Sequence, residues 1–155
     1  MEVASNGRLA LGLFEKYGTF RLRVYPRDTV VAEKLEAMVQ LGIANSRMKD
    51  FFDLRFLARS FEFEGDILVG AISATFARRG TPVPATDPVA LTAAFTEDAQ
   101  KRVQWRAFLK RLDAADQALT LAAVIAEIDA FVSPLLDAIR SDTSFHRTWA
   151  RGRWS

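Results

Sequence analysis

The chain has 155 residues, 50% of them hydrophobic and 26% charged, which suits one folded domain of ordinary size rather than a disordered segment. A formal net charge of +2 is too small to argue for nucleic-acid binding from composition. The absence of cysteine excludes disulfides, thiolate catalysis and Cys-type zinc sites, and the single histidine, His146, excludes a His-rich metal centre.

No apolar run approaches the about 20 residues of a membrane span, and no apolar stretch of the signal-peptide kind follows Met1–Asn6. A cytoplasmic protein without a membrane partner is expected. Met1–Gly18 is weakly patterned, with room for one helical turn near Leu9–Phe14. From Thr19 to Tyr25 apolar Phe20, Leu22 and Val24 alternate with Arg21 and Arg23, the pattern of a half-buried strand ended by Pro26. No second strand is evident in the sequence.

Beyond Pro26 the pattern is helical. Asp28 is the expected N-cap of a helix to Leu41, stopped by Gly42. Ser46 is expected to cap a second helix to about Ser60. Asp66 is expected to cap a third over Ile67–Arg79, closed by Gly80 with Pro82 and Pro84 beyond, its core face Leu68, Ala71, Ile72 and Phe76. A Pro-rich loop over Thr81–Pro88 precedes a short helix at Val89–Phe95. Thr96 is expected to cap a helix to about Leu112, and Thr120 a long one to about Ile139, which Pro134 should kink or shift. Residues 141–155 show no period and are expected to be disordered. The fold class is therefore mainly α: a helical bundle-like domain over 19–140 with one short N-terminal β-strand.

One charge is on the wrong face. At about 100° per residue, Val30, Val31, Leu35, Ala37, Met38 and Leu41 form the apolar side of the first helix, and Glu33, Glu36 and Gln40 the other. Lys34 lies within the apolar stripe, so its ammonium needs an anion from the protein or from a ligand. Asp50, at the edge of the next helix's apolar face, is the candidate partner. The loop between the two helices is short, so Lys34, Arg47, Lys49 and Asp50 can converge at one rim. Either a structural ion pair or a ligand-handling site satisfies this pattern.

The same residues carry a family resemblance. AEKLEAM at 32–38 and NSRMKDFFDL at 45–54 resemble the C-terminal signature of the AbiEii/AbiGii-type nucleotidyltransferase toxins. The likeness continues through AISATFARRGTP at 71–82 and, more loosely, VALTAAF at 89–95 and QWRAFLKRL at 104–112. It covers roughly Phe20 to Ile139, and Met1–Phe14 falls outside it. The resemblance implies the toxin of a toxin–antitoxin or phage-defence system, moving a nucleotidyl group from an NTP to an acceptor, tRNA in some members. It implies carboxylate-held Mg2+ as cofactor and an antitoxin as protein partner. Carried over by position, Lys34 and Asp50 are the implied catalytic residues, and Arg47 and Lys49 the implied nucleotide-binding ones.

The family's Gly-Ser turn and D-x-D pair, which would bind phosphate and metal, have no counterpart here. Glu127-Ile-Asp129 stands inside a helix, where such a pair does not converge, and is expected to be a solvated face. The chain is thus expected to hold no metal ligands and to be the C-terminal helical portion of such an enzyme, inactive alone. The alternative is a free-standing helical module that docks on an antitoxin or a separate catalytic subunit. Arg78 and Arg79 suit a helix C-terminus, with an RNA or phosphate contact as the alternative. On the 96–112 segment Trp105 and Phe108 are expected in the core, with Lys101, Arg102, Arg106, Lys110 and Arg111 on a solvated face.

Overall fold

The computed structural model describes residues 26–113 and 117–155. The expected strand at 19–25 and the helical turn at 9–14 lie outside the described residues. Among the described residues are six α-helices: α1 Arg27–Leu41, α2 Met48–Ser60, α3 Gly65–Arg79, α4 Ala93–Thr96, α5 Ala99–Leu112 and α6 Leu121–Ser141. Short 3-10 turns lie at Gly42–Ala44 and Val89–Leu91. Three short strands, β1 Phe63–Glu64, β2 Thr148–Ala150 and β3 Arg153–Trp154, form one antiparallel sheet in the order β1-β2-β3. The fold is mainly α.

Helix α1 packs against α3 and α2, and α6 packs against α2 and α3 in turn. Val30, Val31, Ala32 and Leu35 are fully buried on it. Glu36, expected on the polar side, is also fully buried. The end of α3 explains this: Thr81 Oγ1 donates to Glu36 Oε2 at 2.6 Å, and Arg79 Nη1 stands 3.5 Å from Oε1. Arg78 and Arg79 also reach Glu33, at 3.3 and 3.7 Å, so this arginine pair docks α3 on α1.

Several helix starts differ from expectation by a residue or more. Asp28 and Asp66 sit inside the first turns of α1 and α3, whose cap positions are Pro26 and Glu64. Burial pushes the Asp28 carboxyl above the usual range, more than its own backbone hydrogen bond and Arg27 pull it down. Ser46 does not cap α2; Arg47 holds the cap position there. Helix α5 is capped by Asp98, whose Oδ1 accepts from Lys101 N at 3.0 Å, and not by Thr96, which ends α4. Thr120 caps α6 as expected, accepting from Ala123 N at 3.1 Å, and α6 runs on through Pro134 to Ser141. Gly42 and Gly80 follow the ends of α1 and α3 with positive φ of 53° and 66°, a conformation that costs glycine little.

The expectation of a disordered 141–155 segment is corrected. Its aperiodic sequence folds as the β2–β3 hairpin, which pairs with β1 through Phe63 opposite Trp149. Trp149 and Trp154 are 2% and 8% exposed; Trp154 stacks on Phe131 and Trp149 packs against it at a tilt. Each indole N–H finds a carbonyl: Trp149 Nε1 donates to Ala58 O at 2.7 Å, and Trp154 Nε1 to Phe131 O at 3.0 Å. Such pairing lets an aromatic ring bury its apolar body without stranding its donor. Gly65 makes the docking possible. Its N–H donates to Arg147 O at 2.8 Å, and a Cβ there would lie 2.8 and 2.9 Å from the Phe145 and Arg147 carbonyl oxygens.

Candidate functional site: a buried lysine behind a cationic groove

The site forms where α1 meets the start of α2. Lys34 sits mid-helix on a face that α2 covers, and its residue exposure is 2%. Its Nζ donates to Asp50 Oδ1 at 2.9 Å and to Asp53 Oδ2 at 3.1 Å. Asp50 and Asp53 are one helical turn apart on α2, so both carboxylates face the same lysine. Each carboxylate holds a second, half-exposed cation. Arg47 Nε lies 3.0 Å from Asp50 Oδ2, and Lys49 Nζ lies 3.0 Å from Asp53 Oδ2. The result is an alternating row, Arg47–Asp50–Lys34–Asp53–Lys49, of three cations and two carboxylates.

The structure therefore brings together Lys34, Arg47, Lys49 and Asp50, the four residues that the sequence singled out. Asp53 completes the row. Its signal was its i+3 spacing from Asp50, which places it on the same face of α2.

Local geometry fixes the corner at which Arg47 stands. Asn45 is 1% exposed, and its Oδ1 accepts from Arg47 N at 2.8 Å. A groove of about 660 Å³ opens beside this corner, between the start of α2 and one side of α5. Arg47 at the cap position and Lys49 and Asp50 in the first turn of α2 line one side, and Gln104, Phe108 and Arg111 of α5 the other. Lys34 is not among its lining residues; it stands behind the carboxylates. The lining thus carries three cations against one carboxylate, a balance suited to an anionic ligand.

The aromatic residues of α5 are core, as expected, with Trp105 2% and Phe108 9% exposed. Lys101 departs from the expected solvated face: it is 5% exposed and donates to Asn45 O at 2.8 Å. Glu127 departs too. It bridges α6 to α2, accepting from Arg55 Nε at 2.9 Å and Arg59 Nε at 2.7 Å. Burial pushes its carboxyl up, but the hydrogen bonds and charges of the two arginines outweigh this and hold it below the usual range. Asp129 accepts from Ser133 Oγ and does not join Glu127.

These residues do not fit a metal ion. Among the described residues no three His, Cys, Asp or Glu side chains come together as a metal site would need. The two carboxylates of the row are each already held by two cations.

Fold and site together describe a helical domain with a buried ion-pair row behind an anion-suited groove. Residues 6–138 match the profile of the family described as nucleotidyl transferase AbiEii toxin, type IV TA system, and the chain belongs to that family. A family of toxin–antitoxin toxins implies an antitoxin partner. The match starts at residue 6, so most of the lead-in expected to fall outside the family's pattern lies within it. No curated protein and no solved structure matches the chain. No helix among the described residues is long and apolar enough to cross a membrane.

Proposed function

We propose that this chain is the C-terminal helical portion of an AbiEii-type nucleotidyltransferase toxin, and that its groove takes the triphosphate of an NTP. The observation that carries this reading is the groove lining, with Arg47, Lys49 and Arg111 against the single carboxylate Asp50. Arg47 offers a planar donor fork to phosphate oxygens and Lys49 a point charge. Asp50 faces the groove and is the group that can orient a donor or accept a proton there. Lys34 stands behind it and acts by holding Asp50 and Asp53 in place. The acceptor in this reading is tRNA. Mg2+ and the phosphate-cradling turn come from a segment with the Gly-Ser and D-x-D pattern that this sequence lacks, so the chain alone is inert in transfer. Phage defence in the cytoplasm is the setting this reading gives it.

Titration of the chain with ATP, GTP, CTP and UTP, followed by backbone amide NMR shifts, tests the groove. The expected result is saturable shifts at Ser46–Asp50 and on α5, with Arg47→Ala and Lys49→Ala each weakening binding about tenfold, the effect of one charge-assisted hydrogen bond. Binding should also weaken as salt is raised. Shifts that are absent for all four nucleotides, or unchanged in both variants, refute the nucleotide site. A second reading, a helical module that docks on an antitoxin or separate catalytic subunit, draws on the exposed apolar side chains Ile43, Val103 and Leu112. It predicts that these residues, rather than the cations, control binding to the partner.

A further inference from the structure

Lys101 is the buried cation that the ion-pair row does not include. It lies in the first turn of α5, 5% exposed, with Nζ 2.8 Å from Asn45 O and 5.4 Å from the centroid of the Phe95 ring. Among the described residues no carboxylate lies within 4.0 Å of it. A buried ammonium held only by a carbonyl and a ring face is a poor choice for stability alone, since an apolar side chain of like length would fill the space without desolvating a charge. The carbonyl it holds belongs to the residue that shapes the groove's corner.

The connections run without a gap from one wall of the groove to the other. Lys101 on α5 holds the Asn45 carbonyl at 2.8 Å. The Asn45 carboxamide accepts from Arg47 N at 2.8 Å. Arg47 Nε then pairs with Asp50 Oδ2 at 3.0 Å, and Asp50 Oδ1 accepts from Lys34 at 2.9 Å. The α5 wall supplies Val103, Gln104 and Arg111 to the groove, and the loop that Lys101 grips runs directly into the opposite wall, Ser46–Asp50.

We infer that Lys101 is a positioning residue for this groove: its ammonium straps the Asn45 loop to α5, sets the Arg47 corner, and so sets affinity for the phosphates of a nucleotide without touching them. The inference rests on the nucleotide reading for its ligand but not for its geometry. In the free protein the strap should show as protection of the Arg47 amide, whose N–H donates to Asn45 Oδ1.

The test compares the full chain with Lys101→Met and Lys101→Arg by two readouts. The first is hydrogen exchange of the Arg47 amide without ligand, and the second is ATP affinity by NMR titration. Lys101→Met is expected to keep its melting temperature, to exchange the Arg47 amide at least tenfold faster, and to bind ATP about five- to tenfold more weakly. Lys101→Arg, which keeps a donor, is expected to stay within threefold of the parent in both. Unchanged Arg47 exchange in Lys101→Met overturns the inference. So does equal loss in the Met and Arg variants, which would assign the effect to side-chain shape rather than to the donor. If the parent shows no ATP binding, the nucleotide reading fails while the exchange readout still decides the strap. Should Lys101→Met not fold, Lys101→Leu, which also lacks a donor, is read by the same criteria.

Discussion

Removing charges one at a time from the buried row separates a lysine that stabilises the fold from one the fold merely accommodates. The side chains of Lys34, Asp50 and Asp53 are 1%, 7% and 14% exposed. Breaking a buried pair by deleting one partner costs about 3–5 kcal/mol when a charge is left alone, whereas replacing the charge itself by an apolar group of like volume is close to neutral. In Lys34→Met, Asp50 keeps Arg47 at 3.0 Å and Asp53 keeps Lys49 at 3.0 Å, so no buried charge is stranded. The expected cost is within about 1 kcal/mol. In Asp50→Ala, Lys34 still has Asp53, at 3.1 Å and nearer solvent, and the expected cost is about 2 kcal/mol. The double change Asp50→Ala, Asp53→Ala removes both carboxylates that Lys34 meets among the described residues and should cost the most, towards about 3–5 kcal/mol.

Urea melts give the free energies, and thermal melts should follow at roughly 2–4 °C per kcal/mol for a chain of this size. The order expected is Lys34→Met mildest and the double variant worst. If Lys34→Met destabilises as much as the double variant, the ammonium is itself a main source of stability and the row is not a tolerated charge cluster behind a site.

Two further outcomes follow from the packing and the titration of single groups. Gly65→Ala should destabilise by about 1–3 kcal/mol, the range for forced overpacking, because the new Cβ meets backbone oxygens that have no rotamer to give; a near-native urea midpoint would show that the 141–155 segment is not seated on α3. Glu127 titrates below its ordinary value in the folded chain, so its contribution is fully present above about pH 4.3 and is lost as pH falls through the folded value. The stability gap between the parent and Glu127→Gln should therefore shrink on acidification from pH 5 to pH 3, and a gap that stays constant across that window refutes the Arg55–Glu127–Arg59 bridge.

The sequence by itself determined the features that depend on neighbours along the chain. A 100° periodicity put Lys34 on an apolar face, a short loop brought Asp50 towards it, Thr120 announced α6, and Gly42 and Gly80 marked helix ends, because spacing and backbone conformation are local properties. The tertiary structure alone decided which polar and aromatic side chains leave water. Glu36 is buried because the end of α3 brings Thr81 and Arg79 to it, and Lys101 because the Asn45 carbonyl meets it. Glu127 meets Arg55 and Arg59, and Trp149 finds Ala58 O, across long stretches of chain. A charged or aromatic residue looks the same in sequence whether it faces solvent or a distant partner. Only the packing of α3, α5, α6 and the final hairpin brings the carbonyls and counter-charges together with the groups they allow to be buried.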